Sequence, residues 1–163
     1  MPKRRNVANG LFTISVAGTG TDPLMLAGES VSEAANRLAV SLDSSVLAVQ
    51  GPPGAGKTFT GARMICELVR SGRKVGVTAL SHKVIRNLLE EVLNAAQESG
   101  LAAFGCMQKV TDKSERQSTL IKETNDNTEA LKALQSGEVR VVGGTGWMWS
   151  RQDFFEAVDV LFC

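Results

Sequence analysis

The octapeptide Gly51-Pro52-Pro53-Gly54-Ala55-Gly56-Lys57-Thr58 constrains the fold of this chain more than any other stretch. It carries G-x-x-x-x-G-K-[ST] at every fixed position, a pattern that works between a strand entering it and a helix leaving it. Both neighbours are written in the sequence. Val46-Leu47-Ala48-Val49 is an unbroken apolar run, which predicts a strand buried on both faces, as in a parallel sheet. Beyond the loop, Ala62, Ile65, Leu68 and Val69 recur at helical spacing, and Gly72 stands where such a helix ends.

The residue types of the octapeptide specify its chemistry. Gly51, Gly54 and Gly56 let backbone N–H groups approach phosphate oxygens, with Pro52, Pro53 and Ala55 completing the cradle. A helix starting near Lys57 aims the positive end of its dipole at the same anion. Lys57 is expected to reach the β- and γ-phosphates and Thr58 to give its hydroxyl to Mg²⁺, making these two the catalytic candidates and Thr58 the metal candidate. Charge-assisted hydrogen bonds are worth about 1.5–3 kcal/mol each, so several together suffice for micromolar triphosphate affinity. A plain glycine-rich turn has no use for a lysine and a threonine there.

The same alternation runs through the rest of the chain. Residues 1–28 read as a lead-in of loops and one short strand. Ser30 and Glu33 form a capping box ahead of Val31, Ala34, Leu38 and Leu42 on one helical face. Lys74–Ala79 predicts a strand, Lys83–Ser99 a helix with Ile85, Leu88, Leu89, Val92 and Leu93 inward, and Phe104–Val110 a further strand. Residues 111–127 are polar and mixed in charge, and read as exposed loop or helix. Thr128–Gln135 predicts a short helix, Glu138–Val142 a strand, Gln152–Ala157 a helical turn and Val158–Phe162 a last strand. Strands alternating with helices predict an α/β fold with a largely parallel sheet.

Composition narrows the function classes. With 163 residues, 43% hydrophobic and 21% charged, the chain suits one ordinary soluble domain. A net charge of +1 gives no bulk reason to expect a nucleic-acid or membrane partner. No apolar run approaches the ~18 residues that span a bilayer. The start, MPKRRNVANG, lacks the apolar stretch of a signal peptide. Cys66, Cys106, Cys163 and the single His82 have no zinc spacing, so a reduced, cytoplasmic protein is expected.

Two segments follow predicted strands. Thr78-Ala79-Leu80-Ser81-His82-Lys83 comes after the second strand of the alternation, and Val142-Gly143-Gly144-Thr145-Gly146-Trp147 after the fourth. In open parallel sheets such loops gather at one edge. Their hydroxyls and N–H groups suit phosphodiesters. Ser81 equally suits the cap of the next helix. Trp147 and Trp149 suit either stacking on unpaired bases, worth about 1–3 kcal/mol each, or core packing.

The runs VLAVQGPPGAGKTFTGARMI, VGVTALSHKVIRNLLEEV and VVGGTGWMWSR together resemble superfamily 1 helicases of the Upf-like branch. The resemblance covers residues 30–163 and is closest to the bacterial group in which such a helicase is fused to a RecB-like nuclease. It implies a P-loop NTPase of RecA-like fold, with a parallel sheet flanked by helices, over residues 29–163. It further implies ATP and Mg²⁺ at Gly51–Thr58, the family's first motif. Single-stranded nucleic acid, DNA ahead of RNA, is implied at Thr78, Ser81, His82 and Lys83 and at Gly144 and Thr145, together with the rest of a helicase motor in cis and no membrane. No glutamine-containing adenine motif stands upstream, since Asn36 and Gln50 are poor candidates, so the preference for adenine comes from the resemblance alone.

In that family a strand ending in Asp-Glu supplies the acids for Mg²⁺ and the attacking water. The run Ala157-Val158-Asp159-Val160-Leu161-Phe162-Cys163 puts its acid before the apolar residues instead. Asp153 and Glu156 read as ordinary surface charges. The expectation is a RecA-like domain incomplete at its C-terminal side, lacking the Walker B acids and later motifs. The whole protein would be an ATP hydrolase, and these 163 residues would bind nucleotide without hydrolysing it. A strand that follows the Asp-Glu motif in the family lies between the Asp-Glu and phosphate-loop strands, so Val46–Val49 and Val158–Phe162 are each expected to lack a neighbour. Two other classes share the phosphate loop. A small P-loop phosphotransferase would want an arginine-rich lid, whereas residues 111–127 hold only Lys113, Arg116 and Lys122 as cations. A regulatory nucleotide-binding module would need no catalysis at all.

Overall fold

Two separate sheets organise the chain, one in residues 1–67 and one in residues 68–163. The structure, a computed structural model, describes the backbone of residues 4–8, 13–17, 24–112 and 120–163, and the side chains of 24–112 and 120–163.

In the first unit, β1 (Arg4–Ala8), β2 (Thr13–Ala17) and β3 (Val46–Gln50) form an antiparallel sheet in the order β1-β2-β3. Val16 stands opposite Leu47, and Ile14 opposite Val49. This corrects two expectations. The lead-in holds two strands rather than one, and β3 is not doubly buried within a parallel sheet. Exposure alternates along β3, and Val46 is 65% exposed. A short apolar run has the same composition in either setting; here β2 supplies the backbone partners that settle it.

Helix α1 (Val31–Ser41) starts at the predicted capping box. Ser30 Oγ accepts from Glu33 N at 3.2 Å, and Ser30 N donates to Glu33 Oε2 at 2.8 Å. Its buried face is Val31, Ala34, Ala35, Leu38 and Ala39, while Leu42 lies past its end. Arg37 grips Glu29 through Nε and Nη2, both at 2.8 Å, and that hydrogen-bonded guanidinium holds the Glu29 carboxyl down at about 2. Helix α2 (Lys57–Arg70) follows the glycine-rich loop. Ala62, Ile65 and Leu68 are buried as expected, Val69 half-buried. Gly72, at φ +83°, closes the helix: its N–H reaches Val69 O at 2.9 Å and Arg73 N reaches Leu68 O at 2.9 Å.

The second unit is α/β with a five-stranded sheet, every pair of which is parallel. Its elements are β4 (Val75–Val77), α3 (His82–Glu98), β5 (Cys106–Lys109), β6 (Ile121–Thr124), α4 (Asn127–Ser136), β7 (Val141–Gly143), α5 (Gly146–Trp149) and β8 (Val160–Phe162), with a 3-10 turn at Gln152–Phe154. The strand order is β6-β5-β7-β4-β8. Val142 packs into a cluster with Met107, Ala130, Leu134 and Met148, on the α4 side. The next residue, Gly143, faces Ile85 and Leu89 of α3. Successive strand residues point to opposite faces, so α3 and α4 cover the two sides of the sheet. Ile85, Leu89 and Val92 are fully buried, and Leu88 and Leu93 half-buried. Each full burial, as of Ile85, Leu89 and Val92, is worth about 1.5–3 kcal/mol.

Residues 121–124 depart from the expected loop or helix; residues 113–119 of that stretch lie outside the described residues. Ile121 and Thr124 are buried, Lys122 is exposed, and β6 pairs parallel to β5 at the sheet edge. Edge strands carry charge. Lys122 here pairs with Glu138, and Glu123 with Arg86 of α3 at 3.0 Å. The opposite edge is β8. Among the described residues it pairs with β4 alone, and Leu161 remains 42% exposed. No helix among the described residues is long and apolar enough to cross a membrane.

Candidate functional site

In the first unit, Gly51–Thr58 links β3 to α2. Ala55 N donates to Pro52 O at 3.2 Å, making a tight turn. Gly54 and Gly56 sit at φ +79° and +80°, where a side chain strains the backbone; a Cβ would meet nothing at either, so conformation alone demands glycine. Pro52, Pro53, Gly54, Gly56, Lys57 and Thr58 are exposed, Gly51 is half-buried, and Ala55 turns inward at 8% exposure. Lys57 is the first residue of α2, and its Nζ donates to Gly51 O at 2.6 Å and Pro52 O at 2.8 Å. The ammonium is thus folded onto its own loop. The first N–H groups of α2 have no intrahelical partner, and Thr60 N is the first to close onto the loop, at Gly56 O, 2.9 Å. An exposed cation beside N–H groups at a helix start is chemically suited to an oxyanion.

The second unit assembles the other predicted residues. Thr78, Ser81, His82 and Lys83 leave the C-terminal end of β4, and Gly144 and Thr145 leave the C-terminal end of β7. The two strands pair in parallel, with Val77 opposite Gly143, so both segments emerge side by side. Gly144 N donates to Val77 O at 2.9 Å and fastens one to the other. A Cβ at Gly144 would meet the end of the Met148 side chain, with its Sδ at 2.6 Å, so the methionine would have to shift.

Ser81 is the N-cap of α3, its Oγ accepting from Val84 N at 3.3 Å. The capping role read from the sequence is therefore present. Thr145 holds the N-cap position of α5 without a side-chain cap bond. Thr78 N donates to Phe162 O at 2.7 Å, Lys83 is exposed, and His82 is half-buried with Nε2 at 3.4 Å from Thr111 Oγ1. Sequence reasoning missed Gln108. This residue, 2% exposed at the end of β5, donates its amide to His82 O at 2.8 Å and pins the start of α3. A glutamine inside the short strand CMQK was the available signal.

The two tryptophans separate. Trp149 donates Nε1 to Val77 O and Gly144 O, both at 3.1 Å, and packs edge-on to Phe154 with ring centroids 5.5 Å apart. It locks the two segments together. Trp147 is 87% exposed.

The acids near β8 stand elsewhere. Asp159 precedes β8, accepting from Lys74 N at 2.7 Å at the N-terminal end of the sheet, and Asp153 pairs with Arg151 at 3.1 Å. Among the described residues, no group of three or more His, Cys, Asp or Glu is placed to hold a metal ion. No protein-family model matches this chain, and no curated protein matches it.

Proposed function

We propose that this chain is the ATP-binding portion of a RecA-like, ATP-dependent helicase or translocase acting on single-stranded nucleic acid, of the superfamily 1 kind its sequence resembles. The whole protein is then an ATP hydrolase, in a group that includes fusions to a RecB-like nuclease. Gly51–Thr58 holds the triphosphate, with Lys57 on the β- and γ-phosphates and Thr58 on Mg²⁺. Mg²⁺ would supply charge neutralisation between the phosphates. Lys57 exchanges two loop carbonyls for phosphate oxygens, and the exposed N–H groups orient the anion.

One observation carries the nucleic-acid part of this reading. Two segments distant in sequence, Thr78–Lys83 and Gly144–Thr145, emerge together from neighbouring parallel strands, joined by the Gly144–Val77 bond. Hydroxyls, backbone N–H groups and Lys83 at one sheet edge suit the phosphodiester chain rather than its bases.

The test is single-strand binding by Thr145→Ala and Ser81→Ala. Both are expected to weaken binding for all base compositions alike, since phosphate contacts carry no base information. Thr145→Ala isolates the effect, because its hydroxyl caps nothing. Ser81→Ala also loses a cap worth about 1 kcal/mol of stability. Ser81→Asp keeps the cap but adds charge, so it should fold like the unmodified chain and bind nucleic acid worse than the alanine variant. Unchanged binding in Thr145→Ala, or a change confined to one base composition, would count against the assignment.

A further inference from the structure

Trp147 is unused by the phosphate contacts above. It lies two residues beyond Thr145, on α5, and presents an 87% exposed indole. Its backbone is held firmly. Met148, 2% exposed, anchors one side of the turn, and Trp149 fixes the other through its bonds to Val77 O and Gly144 O. Packing is thus done by the neighbours, and the ring of Trp147 is left in water on a rigid mount.

We infer that Trp147 is a stacking platform for one unpaired base of a single-stranded nucleic acid. The inference rests on the proposed nucleic-acid reading and adds the residue that touches a base. The surroundings select this ligand over an apolar protein surface. A protein-docking patch is a broad apolar area. On α5 and the residues flanking it, Gly146, Ser150 and Arg151 are exposed beside Trp147, with Phe155 exposed further on; the adjoining loop and the start of α3 expose Ser81 and Lys83 together with Leu80 and Val84. An exposed aromatic face with Ser150, Arg151, Ser81 and Lys83 exposed in the flanking segments matches a base with its phosphate chain. Stacking accepts any base, because every base has a π-face.

The test uses the 163-residue chain and two labelled strands of equal length, oligothymidylate and an abasic strand with the same sugar-phosphate backbone, read by fluorescence anisotropy. The unmodified chain should bind the thymidylate at least about fivefold tighter than the abasic strand. Trp147→Ala should erase that preference while leaving abasic affinity unchanged, and Trp147→Phe, which keeps an aromatic face, should restore most of it. A preference that survives in Trp147→Ala overturns the stacking role and leaves the phosphate track intact. Equal affinity of the unmodified chain for both strands does the same. Binding to neither strand overturns the nucleic-acid reading itself, and the stacking role with it.

Discussion

Replacing Lys57 by alanine lowers the affinity of this chain for a fluorescent ATP analogue by at least about tenfold, the equivalent of ~1.5 kcal/mol. Lys57 is the only side-chain cation in Gly51–Thr58. Its Nζ already lies within the loop, on Gly51 O and Pro52 O at 2.6 and 2.8 Å, so little reorganisation separates it from a phosphate oxygen. Those two carbonyl contacts are surrendered on binding, which is why the expected loss sits at the lower end of a charge-assisted bond. Lys57 is exposed and begins a helix, where alanine is tolerated, so folding stability should change by no more than about 0.5 kcal/mol. Reduced affinity in a chain of unchanged stability is the result expected. Equal affinity in both proteins would mean that the loop does not hold the phosphates.

The second large effect concerns the fold. Gly105→Ala should destabilise the second unit by about 3 kcal/mol, the upper part of the range for overpacking. A Cβ at Gly105 would press into the carbonyl oxygen of Glu138 and lie 3.0 and 3.1 Å from Val139 Cγ1 and Cα. Two of these three obstacles are backbone, so no rotamer change relieves them. The approach is also structural, because Gly105 O accepts from Arg140 N at 2.9 Å and sets β5 against β7. Trp149, packed in this unit, gives the fluorescence signal for urea unfolding. The midpoint should fall with the slope unchanged. An unmoved midpoint would show that the β5–β7 approach is slack.

The helices were the readable part of this sequence. Ser81 before Ile85, Leu89 and Val92, and Ser30 before Val31, Ala34 and Leu38, combine a cap with a helical period, two independent signals that agree. The strands carried less. Val46–Val49 reads alike whether its partner is parallel or antiparallel, and nothing local to it announces β2. Ile121–Thr124 is mostly polar because it is an edge strand, so its composition mimics a loop. At the candidate site the segments following β4 and β7 were found from sequence, whereas their mutual bond and the Gln108 clamp depend on strand order. Trp147 and Trp149 differ by two positions on one short turn, and only the packing of Phe154 and Gly76 decides which is held inside.

ATP binding at Gly51–Thr58 is the central proposal, with no turnover expected of these residues, and calorimetric titration of the 163-residue chain with Mg·ATP, alongside adenosine and a phosphate-release assay, tests it most directly. Phosphoryl transfer depends almost wholly on positioning and electrostatics. The acids beside β8 are committed elsewhere, Asp159 to Lys74 N at the N-terminal end of the sheet and Asp153 to Arg151. The account predicts micromolar ATP binding, far weaker binding of adenosine, and no phosphate release with or without single-stranded DNA. Adenosine binding as tightly as ATP, or phosphate release that Lys57→Ala abolishes, would contradict it.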